Sequence, residues 1–141
     1  MKLWGTGEGI PLFQEVLQVV NGRVPLIVEL KAGSHNQELC QKGWAILKDY
    51  AGPYCIESFD PQIGRWFKKN APGVLRGQLT NPPKPLWQRP TWQEITRGNL
   101  LTNPYNRPQF VAYGPDPKPW TTRWVGAMGA IRGWGKKRGG T

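Results

Sequence analysis

The sequence is poor in cysteine, histidine and acid. Cys40 and Cys55 are its two cysteines, too few and too far apart for a CxxC pair or a disulfide framework. Its one histidine is His35. Nine Asp and Glu face nineteen Lys and Arg, a formal net charge of +10. No stretch approaches the roughly 18 consecutive apolar residues that a membrane span requires, so no transmembrane segment is expected. The first residues, MKLWGTGEGIP, hold no apolar core of a signal peptide. The expectation is a reduced, cytoplasmic chain.

Glycine and proline, by contrast, are plentiful, at 18 and 14. They gather in NPPKPLWQRP (81–90) and GPDPKP (114–119), which are loop-like by composition. The basic excess is also uneven. Residues 121–141 carry Arg123, Arg132, Lys136, Lys137 and Arg138 and no acid. The stretch 126–141, ending GWGKKRGGT, has little to pack and is expected to be disordered. A basic tail and eight tryptophans suit a nucleic-acid-binding module, which stands as an alternative. The tryptophans are scattered, however, with no alternation of basic and aromatic residues, so no specific nucleic acid is expected.

Periodicity orders the first 80 residues. IPLFQEVLQVVNG spaces Leu12, Val16, Val19 and Val20 as one face of a helix, with Pro11 at its first position and Gly22 past its end. VPLIVELK (24–31) is apolar and β-branched, and is expected to be a buried strand. Ser34 or Asn36 could cap a second helix running to about Lys48. YCIESF (54–59) is a second strand. Pro61 opens a helix whose last turn is basic, as the helix dipole favours. VLRGQL (74–79) is a third strand. A helix at 91–101 and strands at 109–113 and 119–125 follow. Strands alternating with helices imply right-handed crossovers and a parallel sheet.

In such a sheet chemistry gathers at the carboxyl ends of the strands. Side chains alternate along a strand, so Glu29 and Lys31 share a face at that end. The next strands end with Glu57 and Ser58, and with Arg76 and Gln78. Oxygen ligands suit Mg²⁺ or Ca²⁺, and Lys and Arg suit phosphate. Three polar strand ends in series therefore point to one charged rim.

IPLFQEVLQVVNGRVPLIVELK, YCIESFDP and APGVLRGQL resemble the glycerophosphodiester phosphodiesterase family from about residue 9 to 80. GNLLTNPYNRPQFVAY and PWTTR are similar to later parts of it. The resemblance implies a TIM-barrel fold, here a partial one over residues 1–125. It implies hydrolysis of glycerophosphodiesters to glycerol 3-phosphate and an alcohol, with a divalent metal, Mg²⁺ or Ca²⁺. Carried over, Glu29 is a metal ligand and Lys31 a catalytic, phosphate-binding residue. Ser58, Phe59 and Trp120 are substrate-binding. The family's His-Arg-Gly and Glu-x-Asp strands and its His-Asp pair have no counterpart here, and His35 matches neither catalytic histidine. At 141 residues against about 250 for a full barrel, the chain resembles an internal-to-late portion. It is expected to be inactive alone, and to pair with a chain supplying the missing barrel half. A non-catalytic interaction protein is a second alternative.

Overall fold

A computed structural model describes residues 4–5, 7–81, 88–98 and 100–113 of the chain. The elements run α1 (Phe13–Val20), β1 (Leu26–Glu29), α2 (Asn36–Leu47), β2 (Tyr54–Ser58), α3 (Pro61–Asn70), β3 (Leu75–Thr80), α4 (Trp92–Gly98), α5 (Asn103–Asn106) and β4 (Phe110–Tyr113). Tail residues 126–141, the 119–125 strand candidate and Trp120 lie outside the described residues.

The four strands form one all-parallel sheet in sequential order, β1-β2-β3-β4. Leu26, Val28, Ile56, Arg76, Gln78 and Val111 take one face by alternation and register. That face carries the core. Leu17 of α1, Cys40 and Leu47 of α2, and Ile63 and Phe67 of α3 cluster there with Leu30, Ile56 and Val74. Burying Leu47 and Phe67 completely contributes about 2–3 kcal/mol each. A hydrogen bond from Asn106 Nδ2 to Gln78 ties α5 to the same face. The opposite face holds Ile27, Glu29, Cys55, Glu57, Leu75, Gly77, Leu79, Phe110 and Ala112. Ile27 remains 59% exposed and Leu75 47%.

The strands are staggered. Glu29, Glu57, Gly77 and Phe110 lie level with one another. They are the fourth residue of β1, the fourth of β2, the third of β3 and the first of β4. The strand starts therefore climb three residues over three steps, about one per strand.

Local chemistry explains the element ends and corrects two sequence expectations. Helix α1 starts at Phe13, not Pro11, because the Glu15 carboxylate accepts a hydrogen bond from Leu12 N at 2.7 Å and fixes Leu12 as the cap. The inward stripe is consequently half-buried Phe13, Val16 and Val20 around buried Leu17, and Leu12 and Val19 face outward. β1 is the edge strand of the described sheet, with alternate residues exposed, and is not a buried one. Its apolar run packs one face only. α3 starts at Pro61 and carries Lys68 and Lys69 in its last turn, as expected, and Asp60 caps it by accepting from Gln62 N at 2.9 Å.

Candidate functional site

At the carboxyl end of β1, Lys31 Nζ donates to Glu29 Oε1 at 3.1 Å. The ammonium side chain is 82% exposed and the carboxylate side chain 32%, so the pair contributes at most about 1 kcal/mol to stability. Glu57 lies level with Glu29 on the neighbouring strand and on the same open face. Burial pushes the Glu57 carboxyl above the usual range, and the Glu29 charge beside it pushes the same way. Two carboxylates and one amine thus meet on the uncovered face, where the strands end.

The other polar residues of the strand ends belong to the covered face. Ser58 is buried; its hydroxyl donates to Leu30 O at 2.6 Å and accepts from Asp60 N at 3.1 Å. It holds the ends of β1 and β2 to the start of α3. Gln78, 2% exposed, directs Nε2 at Ser58 O, Phe59 O and Leu79 O, at 3.1, 3.1 and 2.8 Å. Its Oε1 accepts from Asn106. Asp60 also accepts from Asn36 Nδ2 at 2.8 Å, joining the starts of α2 and α3. Arg76 is the second residue of β3 and sits at the strand's beginning, not at the rim. Its guanidinium donates to Pro72 O and Val74 O at 3.0 and 2.8 Å, and burial lowers its pKa. The expected rim therefore divides by side-chain alternation: Glu29, Lys31 and Glu57 on the open face, Ser58, Arg76 and Gln78 beneath the helices.

Phe59 is 40% exposed just beyond the β2 end. His35 sits at the start of α2, with Nδ1 2.8 Å from Ser34 Oγ. Asn36 lies inside α2 and does not cap it; its Oδ1 accepts from Gly33 N at 2.7 Å. The open face closes over β3 by aromatic contact. A Cβ on Gly77 would lie 2.3 Å from the Phe110 ring, so glycine there gives the ring its place. A glycine inside a strand is the signal for such a close approach. Asn106, the partner of Gln78, has no such local signal, because it arrives from 28 residues away.

Among the described residues, no group of three or more His, Cys, Asp and Glu is gathered that could hold a metal ion. Two carboxylates fall short of the six to eight oxygens of Ca²⁺; they match Mg²⁺, which uses one or two carboxylates together with waters and a substrate phosphate. A concavity of about 600 Å³ lined by Gln14, Leu17, Tyr50 and Pro53 opens by the starting ends of β1 and β2, away from these charges. No family model matches the chain, and no curated protein matches it. What fold and site define together is an α/β protein with a helix-covered parallel sheet and a small carboxylate–amine cluster at the strand ends.

Proposed function

We propose that the chain is a glycerophosphodiester phosphodiesterase-like portion of a TIM barrel, which binds phosphoryl groups at its rim and does not hydrolyse them alone. The observation that carries this is the placement of Glu29, Lys31 and Glu57 on one open face at the strand ends. Two further features support it. Among the described residues, α1, α2 and α3 pack on one face of a sequential parallel sheet, which suits the wall of a barrel better than a doubly wound sheet with helices on both faces. The strands are also staggered, their starts climbing three residues over three steps, and a closed barrel requires a stagger.

Phosphodiester cleavage needs charge neutralisation, an activated nucleophile and a proton for the leaving alcohol. Lys31 serves the first need by meeting a phosphate oxygen, since its ammonium is held only by an exposed carboxylate. Glu29 and Glu57 are the residues that would hold Mg²⁺, which when bound supplies further neutralisation of the phosphate. With no metal bound, Glu57, its carboxyl raised by burial and by the Glu29 charge, is by residue type the nearest to a general base. No histidine stands with them to protonate the leaving group: His35 is engaged with Ser34 beyond the strand.

The test is a hydrolysis assay on glycerophosphocholine with Mg²⁺ or Ca²⁺, beside titration with glycerol 3-phosphate. The expected result is saturable binding weakened about tenfold by Lys31→Ala, with no turnover. Turnover abolished by Glu29→Ala overturns the inactivity. Binding untouched by Lys31→Ala overturns the phosphoryl site.

A further inference from the structure

We infer that the groove between α2 and α3 binds a sugar phosphate, with Arg65 and Lys69 on the phosphate and glutamine amides on the hydroxyls. The groove lies on the helical side of the sheet, away from Glu29, Lys31 and Glu57, so the inference does not depend on the barrel reading.

α2 and α3 pack side by side and leave a groove of about 410 Å³ between them, with Tyr105 of α5 in its lining. Small-molecule sites run from roughly 300 to 1,000 Å³, so the groove has room for one small ligand. The bond from Asn106 to Gln78 holds α5, and with it Tyr105, against α3 and the sheet.

Arg65 is set on that tyrosine. Its guanidinium carbon lies 4.1 Å from the centre of the Tyr105 ring. Stacking uses a face of the guanidinium and leaves free its N–H edge, the part that pairs bidentately with an oxyanion. Lys69 follows one helical turn later in the same groove wall. Among the described residues, neither cation has a carboxylate or hydrogen-bond partner. Like charges four residues apart on a helix repel, and an anion held between them turns that repulsion into attraction. The nearby carboxylates are already engaged. Asp60, at the start of α3, accepts from Asn36 Nδ2 at 2.8 Å and from Gln62 N at 2.9 Å, and Glu38 of α2 pairs with Lys42 at 2.7 Å.

The rest of the lining selects what carries the phosphate. Gln37 and Gln41, one turn apart on α2, line the groove together with Gln62 of α3. Among the described residues these three side-chain amides have no protein partner. Each offers two donors and an acceptor oxygen, the mixture that hydroxyl groups match. A hydrocarbon chain would strip water from them and return no hydrogen bond. Trp66, half-buried in the same wall, adds apolar surface for the C–H face of a sugar ring. The lining holds two cations at one place rather than a long basic stripe, which suits one phosphate and not a polyanion.

The experiment is calorimetric titration of the full chain carrying Lys31→Ala, which removes the rim ammonium, with glucose 6-phosphate, glucose and inorganic phosphate. The expected result is saturable binding of glucose 6-phosphate, binding of inorganic phosphate about tenfold weaker, and no heat from glucose. Arg65→Gln and Lys69→Gln, both at exposed positions, are each expected to weaken glucose 6-phosphate about tenfold with circular dichroism unchanged. Gln41→Ala is expected to weaken glucose 6-phosphate about threefold and to leave inorganic phosphate as it was. Three results overturn the inference: no saturable binding, binding that survives Arg65→Gln with Lys69→Gln, or equal affinity for glucose 6-phosphate and inorganic phosphate. Tighter binding of an oligothymidylate, abolished by the same two substitutions, also overturns it and gives the groove to nucleic acid.

Discussion

The two faces of this sheet handle the same kind of residue in opposite ways. Beneath the helices, Ser58, Gln78, Asn106, Asp60 and Asn36 are joined by direct hydrogen bonds, and each is spent on holding strand ends and helix starts together. On the open face, Glu29 and Glu57 stand side by side, and the pairing they have there is an exposed contact between Glu29 and Lys31. A buried polar network costs heavily when a member is lost, because its partners remain buried and unsatisfied. An exposed ion pair costs almost nothing. Polar residues of the first kind are bound to the fold, and those of the second remain available to a ligand or a second chain.

Substitutions that cross this divide measure it. The largest effect is expected from Gln78→Ala, which strands Ser58 O, Phe59 O and Asn106 and opens a cavity. Urea denaturation should show a loss of about 3 kcal/mol. Gly77→Val comes next. Its side chain meets the Phe110 ring, and about 2 kcal/mol is lost. The loss should shrink when Phe110→Ala is made with it, since the two residues are in contact. Ser58→Ala removes the bonds to Leu30 O and Asp60 N and should cost about 1 kcal/mol.

Glu57→Gln is the mildest and the most specific to the open face. The Glu57 carboxyl is raised in the fold, so the folded chain binds its proton more tightly than the unfolded chain. That contribution to stability is complete below the ordinary glutamate value of about 4.3 and is lost as pH rises through the raised value. Denaturation midpoints measured from acid to neutral pH should show this decline in the native chain and a flatter profile in Glu57→Gln.

Much of this division was legible beforehand, and the part that was not has one cause. Alternation along VPLIVELK put Glu29 and Lys31 together opposite Leu30, and the structure keeps that arrangement. The helix–strand order, the start of α3 at Pro61 and the parallel sheet were equally readable, because each is written in local spacing. Grouping Ser58 and Gln78 with Glu57 ignored the same alternation. Neighbours along a strand point to opposite faces, so proximity in sequence to a strand end does not put a side chain at the rim. The apolar run of β1 matches that of a central strand of a parallel sheet, and so predicts burial on both faces. The run does not reveal whether a further strand lies beside it. The bond from Asn106 to Gln78 and the seat of Phe110 on Gly77 come from sequence separations that no local pattern encodes.

The native cysteines give the most direct test of the two-faced sheet, because one lies on each side. Cys40 is buried in the helical core, its thiol pushed up to about 11 by burial and by Asp60. Cys55 lies level with Ile27 on the open face and is partly exposed. Timed alkylation of the dilute chain, followed by peptide mass spectrometry, should modify Cys55 well before Cys40, which reacts only on unfolding. Equal rates at the two cysteines, or faster modification of Cys40, would contradict the account.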